Sequence, residues 1–89
     1  MNQAIADPEQ LRRFAAHLRA YSEEMKQRNA ALSAHMQNLQ QTWRDDQQRK
    51  FAEEFELQLR QSNRLIANSE KHSQYLLRKA EQIETYLRG

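Results

Sequence analysis

Two ladders of apolar residues, each repeating about every seven positions, run along this chain and fall out of phase in its middle. The first ladder consists of Leu11, Leu18, Met25, Leu32 and Leu39. The members of the second ladder are Phe51, Phe55, Leu59, Ser62, Ile66, Ser69, Ser73, Leu76, Ala80, Ile83 and Leu87. A seven-residue repeat keeps one seam of an α-helix facing a partner helix. The sequence therefore predicts two long amphipathic helices.

The first ladder cannot continue into the second within one straight helix. Its next positions would be Asp46 and Glu53, and an ionised carboxylate is costly to bury without a partner. The break lies just after Thr42, where Asp45 or Asp46 can cap the N-terminus of a new helix. We therefore predict an antiparallel hairpin. The alternative is one bent helix of about 80 residues that pairs with a second chain.

The predicted fold class is all-α, with one helix-turn-helix domain spanning residues 1–89. We expect helix 1 at about 8–42, the turn at about 43–45 and helix 2 at about 46–88. Asp7 and Pro8 support the first boundary, because an N-cap acceptor followed by proline is typical of a helix start.

The composition argues against an enzyme. The chain has one Gly, one Pro and no Cys, which leaves no glycine-rich phosphate loop, no thiolate zinc site and no thiol nucleophile. His17 and His72 fall at one height of the hairpin, but a zinc ion there would need two more ligands. We predict a non-enzymatic protein without catalytic, cofactor-binding or metal-binding residues.

The charges give no sign of a polyanion ligand. Acidic residues are interleaved with the basic ones, the net charge is only +2, and no basic stripe stands out, so we expect no nucleic-acid partner. No apolar run approaches the ~20 residues of a membrane span, so we expect no stable membrane insertion.

Serines occupy the middle of the second ladder. A turn near residues 44 and 45 places Ser69 and Ser73 opposite Ala20 and Ala16. Small residues on both sides let the helix backbones approach closely, and the hydroxyls can bond to carbonyls of their own helix four residues back.

Two helices alone bury little apolar surface, so we expect the hairpin to have a partner. Several apolar side chains fall outside the predicted seams, and as a set they favour a four-helix bundle made by two hairpins, of which a homodimer is the simplest. The residues that we predict for the dimer interface are Met36, Leu57, Leu65, Tyr75 and Leu77.

The turn resembles the central motif of a known family. Residues 39–55 read LQQTWRDDQQRKFAEEF. In this motif Leu39, Trp43, Phe51 and Phe55 keep the spacing of the WXG family, small helical-hairpin proteins tied to type VII (Esx-type) secretion. The segment DPEQLRRFA at residues 7–15 is similar to the family's opening of helix 1.

Two positions depart from the family pattern. Asp45 stands where the family has Gly, and the Tyr-x-x-x-Asp/Glu export element is absent, because Tyr75 is followed at that spacing by Lys79. The resemblance implies a secretion substrate, adaptor or chaperone that pairs with itself or with a paralogous small hairpin. It also implies bacterial cytoplasm before export and secretion without a cleavable signal peptide. Without the export element, the signal would come from a partner chain or a longer neighbour; alternatively, this member is not exported.

Trp43 has two compatible interpretations. Its indole can bury against Leu39 and Phe51 and close the open end of the bundle. It can also form, with Arg44 and Asp45, a recognition surface for a secretion component. Two other classes of protein remain open on the sequence: a filament or needle-like subunit of a secretion apparatus, and an amphipathic protein that lies on a membrane surface.

Overall fold

The computed structural model describes residues 6–89, which form two antiparallel helices and, within that range, no strand. The helices are α1 (Pro8–Gln40) and α2 (Asp46–Arg88). Packed side by side, they make a rod with extents of 66 × 18 × 13 Å. The predicted all-α hairpin is confirmed.

Both helices begin at an aspartate whose side chain caps the first turn. The Asp7 carboxylate accepts a hydrogen bond from the Glu9 backbone N–H at 3.0 Å, and Pro8 follows as the first helical residue. The Asp45 carboxylate accepts from the Gln48 backbone N–H at 2.9 Å. Each cap satisfies an amide that has no partner inside its helix.

The turn forms without a left-handed residue. Helix α1 ends at Gln40, two residues before the boundary that we expected, because the residues that follow bond to the Leu39 carbonyl in a tight turn. It accepts from the backbone N–H groups of Thr42 and Trp43 at 3.2 and 3.0 Å, and from the Thr42 hydroxyl at 3.3 Å. Among the described residues no non-glycine residue has a positive φ. The chain can therefore reverse without a glycine.

The buried stripe of α1 differs from the predicted one. Its most buried residues are Ala15, Ser22 and Asn29, whereas Leu32 and Leu39 are 45% and 43% exposed. Small side chains on the contact line let the helices approach closely. A straight helix also drifts by about 20° per seven residues, which turns the C-terminal end of the leucine ladder away from α2.

The buried stripe of α2 follows the predicted ladder, with Ile66, Ser73 and Ala80 buried. The Ser73 hydroxyl donates to the Ala15 carbonyl of α1 at 3.0 Å. This bond crosses between helices, where we expected one within α2. The close approach of the backbones allows it, and the register lies one residue from the predicted Ser73–Ala16 alignment.

The hairpin has a thin core. Its buried hydrophobic residues are Ala15, Ile66 and Ala80, and none is aromatic. The accessible surface is 7273 Å², compared with ~5,500 Å² for a compact monomer of this mass. A chain that leaves so much surface in water gains little from folding alone.

Candidate functional site

One long edge of the hairpin, which we call the polar flank, is closed by ion pairs. Arg12 donates from one guanidinium nitrogen to Glu84 at 2.8 Å, and a second bond joins the same pair. Lys26 lies 2.5 Å from Glu70. The residues of this flank recur every seven positions: Arg12, Arg19 and Lys26 on α1, and Glu56, Asn63, Glu70, Leu77 and Glu84 on α2.

These contacts shift the pKa of three of the groups that make them, Arg12, Lys26 and Glu84. The hydrogen bond from Arg12 lowers the pKa of the Glu84 carboxyl, although partial desolvation acts in the opposite direction. The hydrogen bond to Glu70 raises the pKa of the Lys26 ammonium. Each contact therefore favours the ionised form of the shifted group, Glu84 or Lys26, and each joins α1 to α2.

The opposite edge, which we call the apolar flank, has a different chemistry. Each helix has two edges beside its seam, and since the charged edges of α1 and α2 meet on one side, the remaining edges lie together on the other. Large hydrophobic side chains recur there and stay in solvent. They are Phe14, Tyr21, Leu32 and Leu39 on α1, and Phe51 and Leu65 on α2.

The apolar flank is continuous with an aromatic cluster at the turn. The half-buried Trp43 ring lies against Phe51, with 5.8 Å between ring centroids. Phe51 stacks in turn on Phe55 at 6.1 Å. Arg44 is exposed and donates from Nε to the Gln40 carbonyl at 3.4 Å. Trp43 thus contributes both to packing at the turn and to an apolar surface that a partner can reach.

The structure does not bring the candidate dimer residues together on one face. Leu57, Leu65, Tyr75 and Leu77 are all exposed. By their spacing along α2, Leu65 belongs to the apolar flank, Leu77 to the polar flank, and Leu57 and Tyr75 to the side of α2 that points away from α1.

Met36 is a correction to the expected set. We placed it outside the seam, but it lines a groove between the helices together with Phe55 and Leu59. It follows Asn29 by seven residues and continues the buried stripe of α1. Its side chain therefore lies within the seam, and its place in a dimer interface stays a prediction.

Asn29 is the residue that sequence reasoning missed. It is buried, and its side-chain amide donates to the Ser62 hydroxyl at 2.9 Å and to the Asn63 side-chain oxygen at 3.1 Å. A signal was present, because Asn29 lies seven residues after Ser22 and fourteen after Ala15. A single buried Asn in a helical seam is typical of a register device.

Two further features were sought among residues 6–89, a cluster of metal ligands and a membrane-spanning helix. No three His, Asp or Glu side chains of that range gather as metal ligands would. No helix of that range is both long enough and apolar enough to cross a membrane.

Comparison with known proteins agrees with the geometry at the turn. The family model WXG100, described as proteins of 100 residues with WXG, matches residues 3–86. No curated protein and no solved structure matches the chain significantly. The match spans the capped start of α1, the Trp43 turn and nearly all of α2, so this chain belongs to the WXG100 family.

Proposed function

We propose that this chain is a non-enzymatic interaction module of type VII secretion, a substrate, adaptor or chaperone that works as a dimer. Two hairpins pack their apolar flanks together into a four-helix bundle. The second hairpin is another copy of this chain or a paralogous small hairpin.

The observation that carries this proposal is the apolar flank. Six large hydrophobic side chains lie along one edge of the rod and remain in solvent: Phe14, Tyr21, Leu32, Leu39, Phe51 and Leu65. Large apolar side chains that recur in solvent along one edge of a small protein mark an interaction surface. An edge that runs along a 66 Å rod is long enough to bury the ~800 Å² per partner of a stable interface.

The polar flank supports the same assignment by contrast. Four of its side chains are paired across the hairpin, Arg12 with Glu84 and Lys26 with Glu70. Polar groups that are already satisfied gain little from a partner, whereas the apolar flank gains from losing water. A partner hairpin is therefore expected on the apolar flank.

The link to secretion rests on family membership and on the turn. Trp43 and Phe51 pack together where the family carries its motif. We propose that this tip, with Arg44 and Asp45 beside it, contacts a secretion component. Because Lys79 replaces the acidic residue of the export element after Tyr75, a partner chain is proposed to supply the export signal.

Sedimentation velocity over a range of concentrations tests the assembly, first on the chain alone and then on its mixture with any small hairpin protein encoded beside it. A closed dimer in either sample supports the proposal. A monomer in both samples contradicts it, and a species that keeps growing with concentration would instead support the filament-subunit alternative.

Export itself requires a second experiment. In the native host, the tagged chain is expected to reach the culture medium with its partner only while the secretion ATPase is intact. Equal release from a strain that lacks the ATPase would contradict the role in type VII secretion.

A further inference from the structure

A stripe of basic residues, which we call the basic ridge, runs along the side of α2 that points away from α1. Arg64, Lys71 and Arg78 repeat every seven residues and so lie on one line of the helix. The expectation that charges are interleaved is therefore wrong for this face. The small net charge of the whole chain hides the ridge, because acidic residues cluster near the two ends of α2.

The acidic residues of α2 do not neutralise the ridge. Between Leu57 and Ala80 the one acidic residue is Glu70, and it pairs across the polar flank with Lys26 of α1. None of the three ridge cations lies within 4.0 Å of a carboxylate of residues 6–89. The ridge is a line of positive charge without a close ion pair among residues 6–89.

Two apolar side chains lie on the same side of α2. Leu57 is 50% exposed and precedes Arg64 by seven residues, and Tyr75 is 55% exposed and lies between Lys71 and Arg78. Neither contributes to the hairpin core or to the apolar flank. Leu57 and the ridge together span about 32 Å of a straight helix.

A second copy of this chain does not fit the ridge. Most of its acidic side chains are engaged within the hairpin, for example Glu9 with Arg13, Glu24 with Arg28 and Glu56 with Arg60. Glu70 and Glu84, which lie fourteen residues apart on one line of α2, face Lys26 and Arg12, and of the acidic pair at seven-residue spacing, Asp46 and Glu53, Asp46 pairs with Arg49. A different molecule is the better occupant.

We infer that the basic ridge docks an acidic α-helix of a partner protein, which packs along α2 with its own apolar residues against Leu57 and Tyr75. An α-helix with an acidic residue every seven positions carries negative charge every ~10.5 Å, and the ridge presents cations at the same interval. The two apolar side chains give such a helix a packed contact in addition to charge pairing.

Two other anionic partners, duplex DNA and a lipid membrane, fit the ridge less well. Phosphates of duplex DNA follow a helical track, so a straight line with one cation per ~10.5 Å neutralises few of them. A membrane-surface helix needs a broad apolar face, and this face offers only Leu57 and Tyr75. The ridge lies on a different side of α2 from the apolar flank, so it stays accessible in the proposed dimer.

The probe is a synthetic fluorescent peptide of four identical seven-residue blocks, each with one leucine on the docking face and glutamates on both sides of it. Its binding to the full chain is measured by fluorescence anisotropy at low ionic strength. The triple variant Arg64→Gln, Lys71→Gln, Arg78→Gln is expected to lose at least ~10-fold in affinity. The matched control Arg13→Gln, Arg49→Gln, Arg88→Gln changes the net charge equally and is expected to lose less than ~2-fold.

Several outcomes overturn the inference: no binding of the peptide, an equal loss in both triple variants, or tighter binding to a 20-base-pair DNA duplex or to vesicles of phosphatidylcholine and phosphatidylglycerol. Circular dichroism first establishes that both variants are as helical as the wild type. Sedimentation velocity of the ridge variant separates this inference from the proposed function. A ridge variant that still dimerises but no longer binds the peptide supports the inference independently of the dimer.

Discussion

The side-chain amide of Asn29 donates to the Ser62 hydroxyl at 2.9 Å across the middle of the hairpin. The same amide reaches Asn63 at 3.1 Å, so one buried side chain of α1 holds two polar groups of α2. A polar contact of this kind is satisfied in only one alignment of the helices. It sets the register from which the polar and apolar flanks follow.

Replacing Asn29 therefore tests how the hairpin is aligned. Asn29→Ala is expected to destabilise folding by about 1–2 kcal/mol, because Ser62 and Asn63 lose their partner in a partly buried place. Urea unfolding measures the effect, and Asn38→Ala, at an exposed position of α1, is the control. A loss as small as that of the control would mean that Asn29 does not hold the register.

The ion pair between Arg12 and Glu84 predicts a pH dependence. Because the pKa of Glu84 is lowered in the folded chain, its stabilising effect is present above the pKa of the unfolded state and is lost as the pH falls through the folded value. At pH 7 the melting temperature of wild type is expected to exceed that of Glu84→Gln, and the difference should vanish in acid. A difference that is independent of pH would contradict the ionised pair.

Leu77 is an apolar residue between the two ion pairs of the polar flank. Arg19 and Leu77 line one shallow groove. Arg19 lies seven residues from Arg12 and from Lys26, and Leu77 lies seven residues from Glu70 and from Glu84. Leu77→Glu is expected to pair with Arg19 and to stabilise the hairpin by roughly 0.5 kcal/mol, with Leu77→Gln as the uncharged control. If Leu77 instead lies in the dimer interface, Leu77→Glu will dissociate the dimer.

The aspartate at the family's glycine position acts as a helix cap. Asp45 has an extended backbone (φ −93°, ψ −176°) that glycine is not needed to adopt. Asp45→Ala should cost about 1 kcal/mol because the Gln48 amide loses its acceptor, whereas Asp45→Gly should cost only a few tenths. Thermal melts of the two variants test this order, and a larger loss for Gly would contradict the capping role.

The general architecture was accessible from the sequence because its signals are local or periodic. The capping aspartates, the proline at the start of α1 and the phase break after Leu39 each point to a hairpin, and each has a direct physical meaning. The second ladder predicted the buried stripe of α2 because Ile66 and Ala80 are apolar and flank Ser73 at seven-residue spacing.

The buried stripe of α1 was harder to predict because its residues do not look like a core. Ser22 and Asn29 are polar, so the leucine ladder beside them was predicted to be the buried stripe. The structure instead places Ala15, Ser22, Asn29 and Met36 there. The error matters for function. It placed Leu32 and Leu39 inside the hairpin, whereas they lie on its apolar flank.

The basic ridge escaped sequence reasoning for a related reason. The whole chain carries a net charge of only +2, whereas Arg64, Lys71 and Arg78 fall on one line of α2. The sequence also does not show which charges pair across the hairpin, and those pairs identify the edge that is left for a partner.

Sedimentation equilibrium of two matched double variants tests the central assignment, that the apolar flank is the surface that another hairpin covers. Leu32→Glu with Leu65→Glu changes the apolar flank, and Leu57→Glu with Tyr75→Glu changes the back of α2 with similar exposure and the same charge. In the assembly that the wild type forms, the flank variant is expected to raise the dissociation constant at least about 100-fold, while the back variant leaves it within about 3-fold. Dissociation caused by the back variant, or an unchanged dimer in the flank variant, would contradict the account.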